Sequence, residues 1–322
     1  MTIKKVFLTV AAVAMSTIIA QAETKKVVAI TAIIEHPSLN AVKDGAIEEL
    51  ARQGFKEGEN LEVLFENAQG QQSIAVQIAR QFVGKKPDVI IPIATPSAQA
   101  ILSVTNSIPV VFSAVTDPVA AKLVQSLQAD PKNKNVTGVS DMLPVESQIE
   151  LIREVVPNVS KIGIIFNPGE PNSVVAVKEF KEAAGKVGIE IVEAPATKSS
   201  EVQSAARSLI GKADAMYTPT DNTVVATLES VVLVAQSAKI PFFSADTDSV
   251  TRGSIAAIGF SYHDLGVETG KSAARILKGE KPSAIPVVFS TKFELHLNKS
   301  SAEKTGITFP DAMLERAFKV IE

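Results

Sequence analysis

Cysteine and tryptophan are both absent from this 322-residue chain, and histidine occurs only three times. Without cysteine there are no thiol nucleophiles, disulfides or thiolate metal sites. His36, His263 and His296 form no i, i+4 pair, which excludes a helical zinc-hydrolase motif. No G-x-G-x-x-G or Walker-type loop follows a strand-like run, and no G-x-S-x-G elbow is present. Asp246-Thr247-Asp248 has carboxylate spacing that a metal uses, but the further oxygen ligands and the glycine of a calcium loop are missing. No metal, cofactor or catalytic residue is therefore expected. The net charge is −3 and no basic stripe is available to neutralise phosphates, which argues against a nucleic-acid partner.

What is present is a chain with 46% hydrophobic and 21% charged residues, enough to bury one large core or two medium ones. Its first residues read as an address. Lys4 and Lys5 precede an apolar run from Val6 to Ala20, and Ala20-Gln21-Ala22 then stands before Glu23, the order of a secretory signal peptide (residues 1–22) cleaved after Ala22. The run falls short of the ~20 residues a spanning helix needs. The mature protein is expected in a bacterial periplasm, without a lipid anchor because no cysteine follows the cleavage site.

The chain repeats itself. A helical run from Gln71 to Val83 leads to Ile91-Pro92-Ile93-Ala94-Thr95-Pro96-Ser97-Ala98 and then to the strand-like Ile108 to Ser113. A run from Ser200 to Ile210 leads to Met216-Tyr217-Thr218-Pro219-Thr220-Asp221-Asn222-Thr223 and then to Ile240 to Ser244. The period is too long for a solenoid, so the fold class is α/β, as two similar Rossmann-like lobes. Strands at Val27 to Ile34, Leu61 to Glu66 and Lys161 to Phe166 alternate with amphipathic helices, which predicts βαβ crossovers and parallel sheets. Further helices are expected over Met142 to Val156, from after the turn Asn167 to Ser173 to about Lys186, from Ser261 to Gly279 and at the C-terminus. The tail beyond the repeat is shared, giving an N-terminal lobe of 23–139 plus 260–289, a C-terminal lobe of 140–259 plus 290–322, and a hinge near Val139, Phe260 and Ser290.

Ligands of open parallel sheets sit beyond the carboxyl ends of the strands. The turns at Glu35 to Leu39, Thr95 to Ser97, Ser113 to Asp117, Asn167 to Ser173, Thr220 to Thr223 and Ser244 to Asp248 all fall there and should line one crevice between the lobes. Hydroxyls and N–H groups at helix starts suit a carboxylate, while Glu35, Asp117, Glu170, Asp221, Asp246 and Asp248 suit an ammonium. The crevice favours a zwitterion. Plain structural roles fit some of the same residues: Ser97, Ser173 and Asp221 as helix N-caps, Asp117 as a turn before Pro118, His36 as a packed ring, and His263 and His296 as structural histidines.

Glu35-His36-Pro37-Ser38-Leu39, Ala94 to Gln99, Thr116-Asp117-Pro118, Asn167 to Ser173, and Pro219 to Thr223, with Leu277-Lys278-Gly279 and Asn298 in the tail, together resemble the periplasmic substrate-binding proteins of ABC importers. The closer likeness, across essentially the whole mature chain, is to the group named for tryptophan and other aromatic amino acids, of type I periplasmic-binding fold. The resemblance implies a monomer whose lobes close on an amino acid (Trp, Phe or Tyr) and which delivers it to an inner-membrane permease with its ATPase. By position, Thr95, Ser97, Asn172 and Ser173 are carried over as carboxylate groups, and Asp221 and Asp246 as ammonium groups. His36, Pro37, Leu39 and Phe260 shape the side-chain pocket, and Asp117 and Asn222 complete the ligand-binding set. A ligand sensor for a membrane receptor and an exported enzyme on the same fold are the alternatives.

Overall fold

The computed structural model describes residues 25–322, so the signal peptide and its cleavage site lie outside the described residues. The first segment runs β1 (Lys26–Ala32), α1 (Pro37–Arg52), β2 (Leu61–Asn67), α2 (Gln72–Lys85), β3 (Val89–Ile93), α3 (Thr95–Leu102), β4 (Val110–Val115) and β5 (Val136–Ser140). The second runs α4 (Val145–Val155), β6 (Lys161–Phe166), α5 (Pro171–Lys186), β7 (Glu190–Pro195), α6 (Val202–Ser208), β8 (Ala215–Thr218), α7 (Asn222–Val225), α8 (Leu228–Ala238), β9 (Phe242–Ser244), α9 (Asp248–Thr251) and β10 (Ala256–Gly259). The tail consists of α10 (Tyr262–Leu277), β11 (Val288–Phe289), β12 (Glu294–Asn298), α11 (Lys299–Lys304), α12 (Asp311–Arg316) and β13 (Lys319–Ile321).

These strands form two sheets, one per lobe. The first, in the order β11-β5-β4-β3-β1-β2, is wholly parallel; the second, β13-β12-β10-β9-β8-β6-β7, is parallel except where β12 meets β10. The central strands β3 and β4 are buried along their whole length, as expected where helices cover both faces. In the second sheet neighbouring residues feed opposite cores: Ile164, Tyr217 and Phe243 pack into one, and Ile165, Met216 and Phe242 into the other. The chain passes between the sheets three times, between β5 and α4, between β10 and α10, and between β11 and β12.

Helix α10 returns to pack on the first sheet, and its seam with α1 is built on glycine. A Cβ on Gly45 would stand 2.3 Å from the His263 carbonyl oxygen, and one on Gly266 would stand 2.2 Å from that of Val42. The backbones therefore touch, and this contact fixes the starts of both helices.

Two local expectations need correction. Helix α4 begins at Val145, not Met142, because Pro144 disfavours a helical conformation at Leu143. The C-terminal helix is two short helices followed by β13, which pairs with β12 at the sheet edge. The helix after β8 breaks at Thr227 into α7 and α8. Pro92 sits one residue from the end of β3.

Candidate functional site

The carboxyl ends of β1, β4, β6, β8 and β9 converge where the two lobes face each other. From the first lobe His36, Ser38, Leu39, Ala114 and Thr116 line a narrow cavity; from the second come Asn172, Thr220, Asp221, Asn222, Val225 and Asp246. Asp141 and Tyr262, each next to a passage between the sheets, complete it, and the atom-free space is ≈ 320 Å³. None of the lining residues is lysine or arginine, while three are aspartate.

Backbone geometry at the rim is unusual. Ala94 (φ 73°) and Ala114 (φ 53°) both have positive φ, and the pairing of β4 with β5 shifts register between Phe112 and Val115. Such conformations cost ~1–3 kcal/mol in a residue with a Cβ and concentrate at functional sites. At Ala94 the bend turns β3 directly into α3.

The lobes are tied across the cavity by two side-chain bonds. Ser38 Oγ donates to Asp246 Oδ1 at 3.0 Å, and the hydroxyls of Thr116 and Thr220 lie 3.2 Å apart. Thr116 spends its one proton on Asp141 Oδ1 at 2.9 Å, so Thr220 is the donor between the two threonines. Tyr262 Oη donates to the other oxygen of Asp141 at 3.3 Å.

On the second lobe three carboxylates brace the turns. Asp221 is the N-cap of α7: Oδ1 accepts from Val224 N at 2.8 Å, and Oδ2 from Asn167 N at 2.5 Å and Ser173 Oγ at 2.6 Å. Glu170 accepts from the N–H groups of Asn222 (3.1 Å) and Thr223 (2.9 Å) and from the side chains of Asn222, Thr223 and Asn172. Asn172 Nδ2 also donates to the Thr220 carbonyl at 2.7 Å. Asp246 accepts from Ser249 N at 2.9 Å and Ser249 Oγ at 2.5 Å, besides Ser38.

Burial perturbs these groups. It raises the Asp141 carboxyl to about 6, against the opposing pull of the Thr116 and Tyr262 hydroxyls. Asp221 is raised by burial and then by neighbouring Glu170; Asp248 is raised to about 6 by burial and then by Asp246. Burial lowers His36 despite Asp246, so its ring is neutral at pH 7.

Several buried polar atoms lack any partner, among them His36 Nδ1, Thr95 Oγ1, Ser97 Oγ, Asn172 Oδ1 and Asp248 Oδ2. Stranding such a group costs ~1–3 kcal/mol. Asn172 Oδ1 and His36 Nδ1 belong to residues of the cavity wall.

The expected residues thus divide. His36, Leu39, Asn172, Asp221, Asn222 and Asp246 line the cavity. Ser173 stands behind it, spent on Asp221. Thr95 and Ser97 are buried at the start of α3 as its first and third residues; Ser97 is no N-cap, and Pro96 between them lines a wider outer cleft with residues 69–72 and 197–199. Pro37 is exposed at the first position of α1 and does not shape the cavity. Asp117 is a turn residue, Oδ1 accepting from the N–H groups of Val119 and Ala120 at 2.9 Å each. Phe260 packs in the first core, 5.6 Å from the Tyr262 ring, outside the cavity wall. Asp141, Tyr262 and Ser38 were not foreseen as ligand groups; the position of Asp141 just after β5 was the available signal, since the end of the neighbouring β4 carries Ala114 and Thr116 of the cavity wall. Among the described residues no cluster of three metal-ligating side chains occurs and no helix is long and apolar enough to cross a membrane.

The chain matches the family model for ABC transporter substrate binding protein over residues 27–321. It is similar to a tyrosine-binding protein of Clostridioides difficile (strain R20291), with 39% identity over 277 residues, 86% of this chain and 80% of that one. The crystal structure of an ABC domain in complex with L-Trp from Streptococcus pneumonia, 36% identical, superposes with a TM-score of 0.88, covering 92% of this chain and 100% of that one. The ligand-free, open structure of a substrate-binding protein with adhesive properties from Clostridium difficile, 38% identical, gives 0.69 over 92% and 99%. At nearly equal identity, the arrangement of this chain is nearer to the ligand-bound one.

Proposed function

The chain belongs to the ABC transporter substrate-binding protein family, and we propose that it binds an α-amino acid with an aromatic side chain between its lobes and hands it to a permease and its ATPase. The observation that supports this reading most is the cavity itself: buried between two lobes, walled by three aspartates without lysine or arginine, and flanked by the unpartnered Asn172 Oδ1 and His36 Nδ1. Such a wall is made for a cation with several N–H donors. We assign the carboxylate to the buried, unpartnered hydroxyls of Thr95 and Ser97 at the start of α3, which stand outside the cavity wall, with the N–H groups and dipole of the helix behind them. Leu39 and Val225 offer apolar surface to the side chain. The aromatic preference rests on the tyrosine-binding relative and the L-Trp complex.

In this reading the lobes are residues 23–139 with 260–289, and 140–259 with 290–322, closing about the three passages between the sheets. The protein acts as an exported monomer, released by cleavage after Ala22, and returns its ligand chemically unchanged. Ser38–Asp246 and Thr116–Thr220 are bonds of the closed form. Moving such a two-state equilibrium from mostly open to mostly closed takes ~5.5 kcal/mol of differential affinity. Two or three charge-assisted bonds at ~1.5–3 kcal/mol each suffice.

A thermal-shift series on the mature chain tests the reading. L-Tyr, L-Trp or L-Phe at ~100 times its Kd adds about 2.7 kcal/mol of stability. Stabilisation by aliphatic amino acids alone would overturn the aromatic assignment; no response to any amino acid, from protein first unfolded and refolded to strip ligand, would overturn the class.

Acidification is expected to weaken binding. A cation favours ionised Asp141, so below its value of about 6 binding must expel a proton, and affinity falls by about tenfold per pH unit. Calorimetry at pH 7.5, 6 and 5 checks the sign; tighter binding at pH 5 contradicts an ammonium beside these acids.

A further inference from the structure

We infer that Asp141, and not Asp221 or Asp246, receives the ammonium of the ligand, an inference that rests on the amino-acid reading above. An ionised carboxylate offers about four acceptor positions. Asp221 has filled three of them, two with backbone N–H groups that define its turn. Asp246 has also filled three, with Ser38 and both donors of Ser249. Asp141 accepts from the hydroxyls of Thr116 and Tyr262; the backbone N–H beside its carboxylate is its own, and that N–H is directed to the Val115 carbonyl at 3.3 Å. It therefore keeps two positions open where the others keep one.

Burial adds to this. Asp141, like Asp221 and Asp246, is buried and makes no ion pair among the described residues, so its charge is uncompensated, and it alone of the three has two acceptor positions left for a partner. Removing a carboxylate from water without a partner is among the costlier things a fold does, and such a group is kept where a ligand supplies the missing charge. A second, independent feature points to the same ligand group. Asn172 Oδ1 is a buried acceptor without a donor on the wall of the same cavity, and its amide orientation is fixed because Nδ2 faces two acceptors, the Thr220 carbonyl and Glu170. A primary ammonium carries three N–H donors, which the open positions of Asp141 and the Asn172 oxygen match.

Asp221 and Asp246 then have a different task. They hold the turns that present Asn172, Asn222 and Ser38, and they act on the ligand through those turns. Asp141 sits at the first passage between the sheets and Tyr262 at the second, so the anchor lies on the axis about which the lobes close.

The test compares an amino acid with its deamino analogue, L-tyrosine with 3-(4-hydroxyphenyl)propanoate, or L-tryptophan with 3-indolepropanoate, by calorimetry at pH 7.5. The parent protein is expected to prefer the amino acid by a factor on the order of 10–100, one charge-assisted bond. In Asp141→Asn that preference collapses toward unity, whereas in Asp221→Asn overall affinity falls but the preference stays. Preference retained in Asp141→Asn and lost in Asp221→Asn or Asp246→Asn overturns the assignment. A parent protein that binds no amino acid defeats the underlying reading instead. Ligand-free Asp141→Asn should melt no lower than the parent at pH 7.5, because it removes a buried charge. Since folding raises the Asp141 pKa, the ionised acid destabilises the fold as pH rises toward and through about 6, so any advantage of the variant grows from pH 5 to 7. Should Asp141→Asn not fold, Asp141→Ser with the same two ligands carries the comparison; a preference kept in it refutes the anchor.

Discussion

Asp221→Ala is expected to cost this protein both its ligand and a substantial part of its stability, about 3 kcal/mol. The side chain accepts from Asn167 N, Ser173 Oγ and Val224 N in a fully buried position, so truncation strands three donors. Each stranded donor costs ~1–3 kcal/mol, and loss of an N-cap alone costs ~0.5–2 kcal/mol. Against this stands the relief of a carboxyl that burial and Glu170 have already pushed up, which keeps the net below the sum. At ~2–4 °C per kcal/mol, melting should fall by roughly 6–12 °C. Ligand affinity falls with it, because Asn172 and Asn222 hang from the same turns. Thermal melting of the ligand-free variant decides the matter. An unchanged melting temperature with affinity lost would mean that Asp221 touches only the ligand, contrary to its bonds.

Gly266→Val should be the more damaging change, at ~3 kcal/mol or more, the upper end of overpacking. The new Cβ would stand 2.2 Å from the Val42 carbonyl oxygen and 3.0 Å from Ala46 N, backbone atoms that cannot swing aside. Helices α1 and α10 must separate, and with them Ser38 and Leu39 at the start of one and Tyr262 at the start of the other. Affinity is expected to fall although the substituted residue lies outside the cavity wall. Gly185→Ala provides the contrast. It lies exposed in α5, where an added Cβ would meet nothing within 4 Å, and should gain ~0.5–1 kcal/mol from helix propensity. Equal tolerance of both substitutions, read by denaturant titration, would refute the close seam.

The lobes were legible because their central strands are apolar throughout and their turns recur in order: Val89 to Ile93 and Ala215 to Thr218 need no tertiary information to be read. The edge strands of the second sheet were not. β7 has only Ala194 buried among its six residues and β13 has none among its three, so the pattern that marks a buried strand is absent there. The site divides in the same way. Residues following a strand end were placed in the right crevice, but sequence does not disclose which acceptors are already spent. Asp221 and Asp246 look like free acids in the sequence and are braces in the fold, and Ser173 is spent on Asp221. Ser97 looks like a cap and caps nothing. Asp141 escaped notice because its significance lies in what it lacks, a donor from the backbone of a neighbouring turn, and only the fold shows that.

The three passages between the sheets also govern how the molecule can be made. Sheet one waits for α10 and for β11 at residues 288–289, and sheet two waits for β12 and for β13 at residues 319–321. A nascent chain that has emerged only as far as β10 owns most of both sheets and has finished neither. Its first helix α1 still shows the bare glycine face that α10 will cover. At ~5–20 residues per second, the interval between emergence of β10 and of β13 lasts seconds, long enough for a chaperone or a translocation machine to take hold of an unfinished chain. The first sheet is not built from a contiguous stretch of sequence, so cutting the gene at the first passage leaves the first half without its edge strand β11 and its core helix α10, and the second half carrying both without the sheet they belong to. Ordinary domain dissection will not produce two folded pieces here.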